Sequence, residues 1–346
     1  MSEEVKAFVR PDSNVPGPAD DQNLHPKIDP RDSVEAWFQP MGYSLRLISN
    51  SQAVLQAAEI SFAGFGTARP AKEPDFTFRF FEHDRDDGQL SQPIFRLEGK
   101  LLRQTSGRDS TLLACLDTGL AYGQFSGTVL THQAFFRWHF LEMALFMMLE
   151  FKGLMGVHGA ALVKDGQAVL LRARSGGGKT TLAYAGARHR LMALAEDVVW
   201  LDRRQNLWWG TPWSFHLLPD ARHLFPELAR YSPVLQINGE TKLEINLEEI
   251  RRGSTTFSAR PGPVVLVERL AGGKSRLEPI SAAAAREAWP AGQTGLEMQL
   301  PHHKGCIEQL LRQDIYRLYF GDDIEASVTL LESLFEPNVT FDTMAT

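Results

Sequence analysis

Residues 157–201, VHGAALVKDGQAVLLRARSGGGKTTLAYAGARHRLMALAEDVVWL, constrain this chain more than any other stretch. They read as strand, turn, strand, glycine loop, helix and strand, with the acidic pair Glu196-Asp197 in the last strand. Residues 167–171 (QAVLL) form a continuous apolar run, the pattern of a strand buried on both faces. The loop Ala173-Arg174-Ser175-Gly176-Gly177-Gly178-Lys179-Thr180-Thr181 follows, and the helix-forming LAYAGARHR comes after it.

A phosphate group needs a cradle of backbone N–H groups. Glycines let the backbone approach closely and take positive φ. A helix beginning at the end of the loop adds the positive end of its dipole. The expected phosphate cradle is therefore Ser175, Gly176, Gly177, Gly178, Lys179, Thr180 and Thr181. Lys179 would reach the β- and γ-phosphates and the Thr180 hydroxyl would ligate Mg²⁺. The first glycine of the G-x-x-x-x-G-K-[ST] pattern is replaced by Ala173, the next smallest residue. The competing reading is a glycine-rich turn that binds nothing; the strand before the loop and the helix after it argue against it.

Two adjacent carboxylates within an apolar segment are costly unless something balances them, and a divalent cation would. Side chains alternate along a strand, so Glu196 and Asp197 diverge unless the backbone bends. Separate roles follow: one carboxylate for the metal, one for the incoming nucleophile. The alternative is a surface turn carrying two charges. Asp197 lies 18 residues after Lys179, a compact loop–helix–strand unit. His158 stands one strand ahead of the loop. It reads either as a residue near the phosphates or as a satisfied core histidine.

The totals narrow the class. A chain of 346 residues, 43% hydrophobic, exceeds one small domain and has ample apolar content for a packed core. A formal net charge of −6 gives no sign of a nucleic-acid partner, which would need a basic face. Cys115 and Cys306 each stand alone, so neither a disulfide framework nor a zinc site is expected, and a reducing cytoplasm fits. The N-terminus lacks an apolar signal core. The longest apolar candidate, residues 135–151, carries Arg137, His139, Glu142 and Glu150, so it reads as a buried helix and not a membrane span.

The expected organisation is a flexible segment over residues 1–33, a β-rich domain over 34–131 and a nucleotide-binding domain over 132–346. The first domain shows short apolar runs (YSLRLIS, FTFRFFE, IFRLEGKLL, STLLACLD) between turn-forming clusters, the pattern of a modest antiparallel sheet. FEHDRDD reads as a charged turn. Residues 131–153 read as one long helix. Beyond the acidic pair, WWGTPWSFHLLPDARHLF reads either as a pocket wall or as core. Asn238-Gly239 signals a hairpin, and PVVLVERL reads as a strand. Lys242 is either a phosphate ligand or a solvated strand lysine. The chain from residue 281, including CIEQLLRQDIYRLYF, reads as helical.

These residues together resemble the HPr kinase/phosphorylase family of the phosphoenolpyruvate carboxykinase-like superfamily. The resemblance rests on His158-Gly159, on Ala173 to Thr180, on His189-Arg190-Leu191 and on Glu196-Asp197, spread over a stretch of about forty-five residues. It implies an α/β (α+β overall) fold with a mixed-sheet, P-loop-containing kinase domain. It also implies an enzyme, a phosphotransferase using ATP and Mg²⁺. Asp197 would bind the metal with Thr180, and Glu196 would be the base toward a substrate hydroxyl, with His158 and Lys179 in the catalytic set. Glu196 replaces the family's aspartate. An arginine stabilising the transferred phosphoryl would complete the set, and Arg260 is the preferred candidate. The family's downstream signature Leu-Glu-Ile-Arg-Gly-Leu-Gly is absent from SPVLQINGETKLEINLEEIRRG. The chain thus looks more like the divergent relatives that act in ribosomal peptide biosynthesis, with a protein or peptide hydroxyl, serine first, as acceptor. A small-metabolite kinase and a non-catalytic nucleotide-binding sensor are the alternatives. No nucleic-acid or membrane partner is expected, and a homo-oligomer stays open.

Overall fold

The computed structural model describes residues 33–85, 88–236, 239–270, 272–289 and 301–336. The expected flexible segment, residues 1–33, lies outside these apart from Ser33. The chain divides into two compact units, one up to Lys152 and one from Gly153.

Alternating apolar residues build the first unit around a seven-stranded sheet. Its strands are β1 (Val34–Phe38), β2 (Leu45–Ser49), β3 (Phe76–Glu82), β4 (Pro93–Glu98), β5 (Leu101–Ser106), β6 (Ser110–Cys115) and β7 (Leu120–Phe125), in the order β1-β2-β3-β7-β6-β5-β4. The sheet is mixed and not purely antiparallel, because helix α1 (Gln52–Phe62) returns the chain so that β2 and β3 run parallel, as do β3 and β7. Leu45, Leu47, Phe76, Phe78, Phe80, Leu112 and Phe125 are buried on one face.

The expected long helix is a series: α2 (Gly127–Thr131), α3 (Gln133–Phe136), a π-turn (Arg137–Glu142) and α4 (Met143–Phe151). Phe136 and Phe140 pack edge-on against Phe125 of β7 at centroid distances of 4.9 and 5.0 Å. This packing draws residues 132–151 into the first unit, so the division falls later than after residue 131. Inside the π-turn, Glu142 accepts from Ser61 Oγ at 2.6 Å and from Arg137 at 3.0 Å, which compensates a carboxylate only 3% exposed.

In the second unit the strands are β8 (Leu154–His158), β9 (Ala160–Lys164), β10 (Gln167–Arg172), β11 (Met192–Ala195), β12 (Val198–Asp202), β13 (Leu207–Trp209), β14 (Phe215–Leu217), β15 (Pro233–Leu235), β16 (Thr241–Ile245), β17 (Ser258–Ala259), β18 (Val264–Arg269), β19 (Arg276–Pro279) and β20 (Ile315–Phe320). The helices are α5 (Lys179–His189), α6 (Leu247–Ile250), α7 (Ala282–Ala288), α8 (Pro301–Leu310) and α9 (Ile324–Ser333). The central sheet has the order β11-β9-β10-β18-β20-β19. It is mixed: β10, β18 and β20 run parallel, while β9 and β19 are antiparallel to their neighbours. Both faces are covered, as the apolar run QAVLL requires. Val169 and Leu171 point into one core with Leu182 and Phe320; Ala168 and Leu170 point into the other with Val199 and Leu310.

One expectation fails here. The segment IYRLYF is the strand β20 and not a helix. Ile315, Leu318 and Phe320 are buried, and the segment is hydrogen-bonded between β18 and β19. Its aromatic and branched side chains suit a pleated surface better than a helix. The hairpin around Gly239 is present, since Gln236 N–H donates to Glu240 O at 2.7 Å and Gly239 N–H to Gln236 O at 2.9 Å. Residues 237 and 238 lie outside the described set.

Candidate active site

The glycine loop joins β10 to α5, the central strand to the buried helix of the unit. Gly178 caps the helix in the left-handed region at φ 90°. A Cβ there would lie 2.7 Å from Phe320 Cε1, so both conformation and space demand glycine. Gly176 also has positive φ, 73°. Gly177 N–H turns back to Arg174 O at 2.9 Å, and Leu182 N–H donates to Gly178 O at 2.9 Å as the first helical bond. The N–H groups of the first turn, on Lys179, Thr180 and Thr181, have no helical acceptor and suit an anion. Ala173 is buried in the core beneath the loop. Ser175 and Gly176 are exposed, and Thr180 is half-buried.

Lys179 is only 8% exposed. Burial pushes its ammonium below the ordinary lysine value and the nearby Arg172 and Lys242 add to this; Asp197 and Glu196 act in the opposite sense. Lys179 therefore belongs to one charge cluster with both carboxylates and two further cations.

The acidic pair is not inside a strand. Glu196 and Asp197 form the bend where the chain leaves β11 in the central sheet and enters β12 in a second sheet, ordered β17-β13-β12-β8. The chain makes the same change of sheet at Gly159, between β8 and β9. The two crossings are tied together, Gly159 N–H donating to Asp197 O at 2.7 Å. A side chain at 159 would meet Leu171 O at 2.8 Å and Leu170 Cδ1 at 2.9 Å, so glycine permits the close approach.

The bend separates the two carboxylates. Asp197 Oδ1 faces His158 Nδ1 at 3.1 Å, with the Asp197 side chain 60% exposed and that of His158 10%. Desolvation pushes the Asp197 carboxyl up, but the hydrogen bond and charge of His158, with Lys179 and Lys242, outweigh it and hold the group below its ordinary value. Glu196 Oε2 turns the other way. It accepts from His216 N–H at 2.7 Å and lies 3.0 Å from His216 Nδ1. Burial alone would push the His216 imidazole down; the Glu196 hydrogen bond and the charges of Glu196 and Glu244 raise it.

Loop, Lys179, Glu196, Asp197 and His158 are thus brought together. Arg260 is not. It pairs with Gln167 at the opposite end of β10, where its guanidinium donates to Asp165 O at 3.2 Å and its backbone bonds Gly166 and Ala168. The length of β10, about 17 Å, lies between it and the loop. The arginine at the right end is Arg172, the last residue of β10, 2% exposed. Its guanidinium donates to His158 O and stacks 5.0 Å from the Trp289 ring. A charged residue closing an apolar strand just before the loop is the signal that marks it. His216 is marked by the alternation Phe215-His216-Leu217, in which only the histidine leaves the core.

His189, Arg190, Arg251 and Trp208 have structural roles. His189 pairs with Glu325 at 3.0 Å, and Arg190 with Glu332 at 3.6 Å. Arg251 caps α5 through Ala187 O at 2.8 Å and Leu191 O. Trp208 is core.

Oxygen donors from the Thr180 hydroxyl and a carboxylate of the bend suit a hard cation such as Mg²⁺, which takes one or two protein carboxylates and completes its shell with water and substrate phosphate. Among the described residues no group of three His, Cys, Asp or Glu is arranged to hold a metal. No described helix is long and apolar enough to cross a membrane.

No family model and no curated protein matches this chain. Among solved structures it is similar to the HPr(Ser) kinase/phosphatase from Coxiella burnetii, at 13% identity and a TM-score of 0.27, over 52% of this chain and 95% of that one. At that level the functional reading rests on the geometry of the site itself.

Proposed function

We propose that the protein is a kinase that transfers the γ-phosphoryl group of Mg-ATP to a hydroxyl, serine first, of a peptide or protein. The observation that carries this reading is the buried Lys179 at the start of α5, which shares one charge cluster with Asp197 and Glu196. The loop and the first turn of α5 form a P-loop that holds the β- and γ-phosphates. Lys179 neutralises their charge as the bond from Pγ to the leaving ADP oxygen breaks. Thr180 and Glu196 would hold Mg²⁺, which would supply charge neutralisation and alignment.

The acceptor oxygen forms its bond to Pγ and gives its proton to a carboxylate. Asp197 suits that role better than Glu196. Its side chain is open to solvent and oriented by His158, whereas the Glu196 side chain is 12% exposed and held by His216. This reverses the roles expected from the sequence. A base needs reach toward the incoming hydroxyl, and the bend gives that reach to Asp197.

The test is phosphorylation of a serine-containing peptide library with Mg-ATP, read by mass spectrometry. The wild type labels serine, and Glu196→Gln retains more transfer than Asp197→Asn at matched Mg-ATP occupancy. The opposite ranking would return the base to Glu196. A wild type that binds Mg-ATP and labels nothing would remove the peptide-kinase reading.

A further inference from the structure

The third sheet of the second unit, ordered β14-β16-β15, borders the carboxylate cluster, and its register fixes which side chains share the bordering face. His216 of β14 lies opposite Glu244 of β16, and Lys242 of β16 lies opposite Val234 of β15. Directly opposed residues of an antiparallel pair stand on the same face. Phe215, Leu217, Leu243 and Ile245 fill the core on one side. His216, Glu244, Lys242 and Val234 therefore stand on the other. Leu218 follows Leu217 in extended conformation, φ −64° and ψ 149°, so alternation along the chain puts it on the same face as His216.

Two features of this face call for a ligand. Leu218 and Val234, 52% and 41% exposed, hold apolar side chains in solvent on either side of a lysine. Lys242 pairs at 2.9 Å with Glu240, itself 55% exposed, a surface pair that an incoming carboxylate displaces at little cost. The face is also continuous with the site. His216 holds Glu196 at 3.0 Å, and the charge of Lys242 is felt at Lys179 and Asp197.

We infer that this face is the platform on which the acceptor lies. The occupant is an extended peptide segment whose hydroxyl enters beside Asp197, with a carboxylate seated on Lys242 and an apolar side chain between Leu218 and Val234. Lys242 lies two residues along β16 from Glu244, which neighbours His216, a step of about 7 Å. The acidic residue of the acceptor therefore sits two to three positions from the hydroxyl. Glu244 repels an acid placed closer. The inference rests on the peptide-kinase reading above and adds the sequence preference of its substrate.

The experiment uses the full chain, Mg-ATP and a degenerate peptide library with one fixed serine, with positional enrichment read by mass spectrometry. Wild type enriches Asp and Glu at one position two to three residues from serine, with Leu, Ile or Val adjacent. Lys242→Glu reverses the charge preference at that position, a change of about tenfold in the Asp-to-Lys ratio. Lys242→Met abolishes the charge preference without reversing it, and Val234→Asp removes the apolar one. Thermal unfolding of each variant confirms that it is folded. A library phosphorylated by wild type and Lys242→Glu with the same pattern overturns the platform and leaves the kinase intact. A Lys242→Glu or Val234→Asp variant that turns a wild-type dimer into a monomer, with the pattern unchanged, assigns the face to a second copy and overturns the platform as well. Binding of Mg-ATP with no labelled peptide removes the peptide-kinase reading first and this inference with it.

Discussion

Two buried histidines, His139 in the first unit and His158 in the second, are held in opposite ways. In the first unit His139, 7% exposed, sits in the π-turn with its ring 4.6 Å from Phe135 and 6.2 Å from Phe95, and neither ring nitrogen has a partner. Burial pushes this imidazole down to about 4. In the second unit His158 and His216 each face one member of the acidic pair, at 3.1 and 3.0 Å. An unpartnered buried imidazole is a neutral packing element and a liability in acid. A partnered one beside a bend and a phosphate-type loop positions a carboxylate. Burial alone does not mark a site. What marks it is burial with a named charge partner where two sheets exchange a chain.

Five substitutions test this contrast. The largest effect is expected at Lys179. Lys179→Ala lowers phosphoryl transfer by about a thousandfold, because a buried cation aimed at the transferring charge has no substitute in the loop. Transfer assays with saturating Mg-ATP check this, and a loss below tenfold would show that the cluster is structural.

Next is the acid response of the first unit. A histidine whose folded pKa is about 4 against an ordinary 6.5 leaves the folded state binding fewer protons than the unfolded one between those values. Stability is therefore full above pH 6.5 and falls as pH drops through 6.5 toward 4, by roughly 3 kcal/mol at the lower end. His139→Phe removes that part of the slope. Chemical unfolding of both proteins from pH 7 to 4 measures it, and parallel slopes would refute the assignment. His216 has the opposite sign. Its raised value contributes stability that is complete below 6.5 and lost as pH climbs above its folded value.

A smaller change is expected at Gly159→Ala. The added methyl meets Leu171 O and Leu170 Cδ1 at under 3 Å, at the bond that ties the two crossings together. The expected cost is about 1–3 kcal/mol of stability, read as a lowered midpoint in denaturant. The smallest effect is at Arg260→Ala, which should change transfer less than about twofold, since surface substitutions away from the site change little. Arg172→Met, by contrast, should destabilise the His158 end of β8.

Much of this was legible in the sequence, and what was not has physical causes. The glycine loop and its flanking strand and helix follow from short-range patterns within residues 157–201; that His158 faces Asp197 does not, since it depends on the pairing of β8 with β12. The bend at Glu196-Asp197 does not, because an apolar run on each side of two charges looks like one strand. Only the pairing of β11 with β9 and of β12 with β8 reveals two sheets. The strand β20 is hidden for a similar reason. Ile315, Leu318 and Tyr319 have helical spacing, and the parallel partner β18 that overrides it lies far back in the chain. The misplacement of Arg260 is a matter of direction. β18 runs parallel to β10, so a residue ahead of β18 lands at the start of β10, away from the loop that follows its end. His216 and Arg172 were readable as polar residues interrupting apolar alternation, but only the fold shows what they hold.

On this reading the loop and the acidic pair form one phosphoryl-transfer site. The most direct measurement is phosphate incorporation into a serine-containing peptide library by wild type and by Asp197→Asn, each with Mg-ATP occupancy verified by calorimetry. The account predicts labelling by wild type and a loss of about a hundredfold or more in Asp197→Asn with Mg-ATP still bound. Equal labelling by both proteins, or binding of Mg-ATP by wild type without labelling of any hydroxyl, would contradict it.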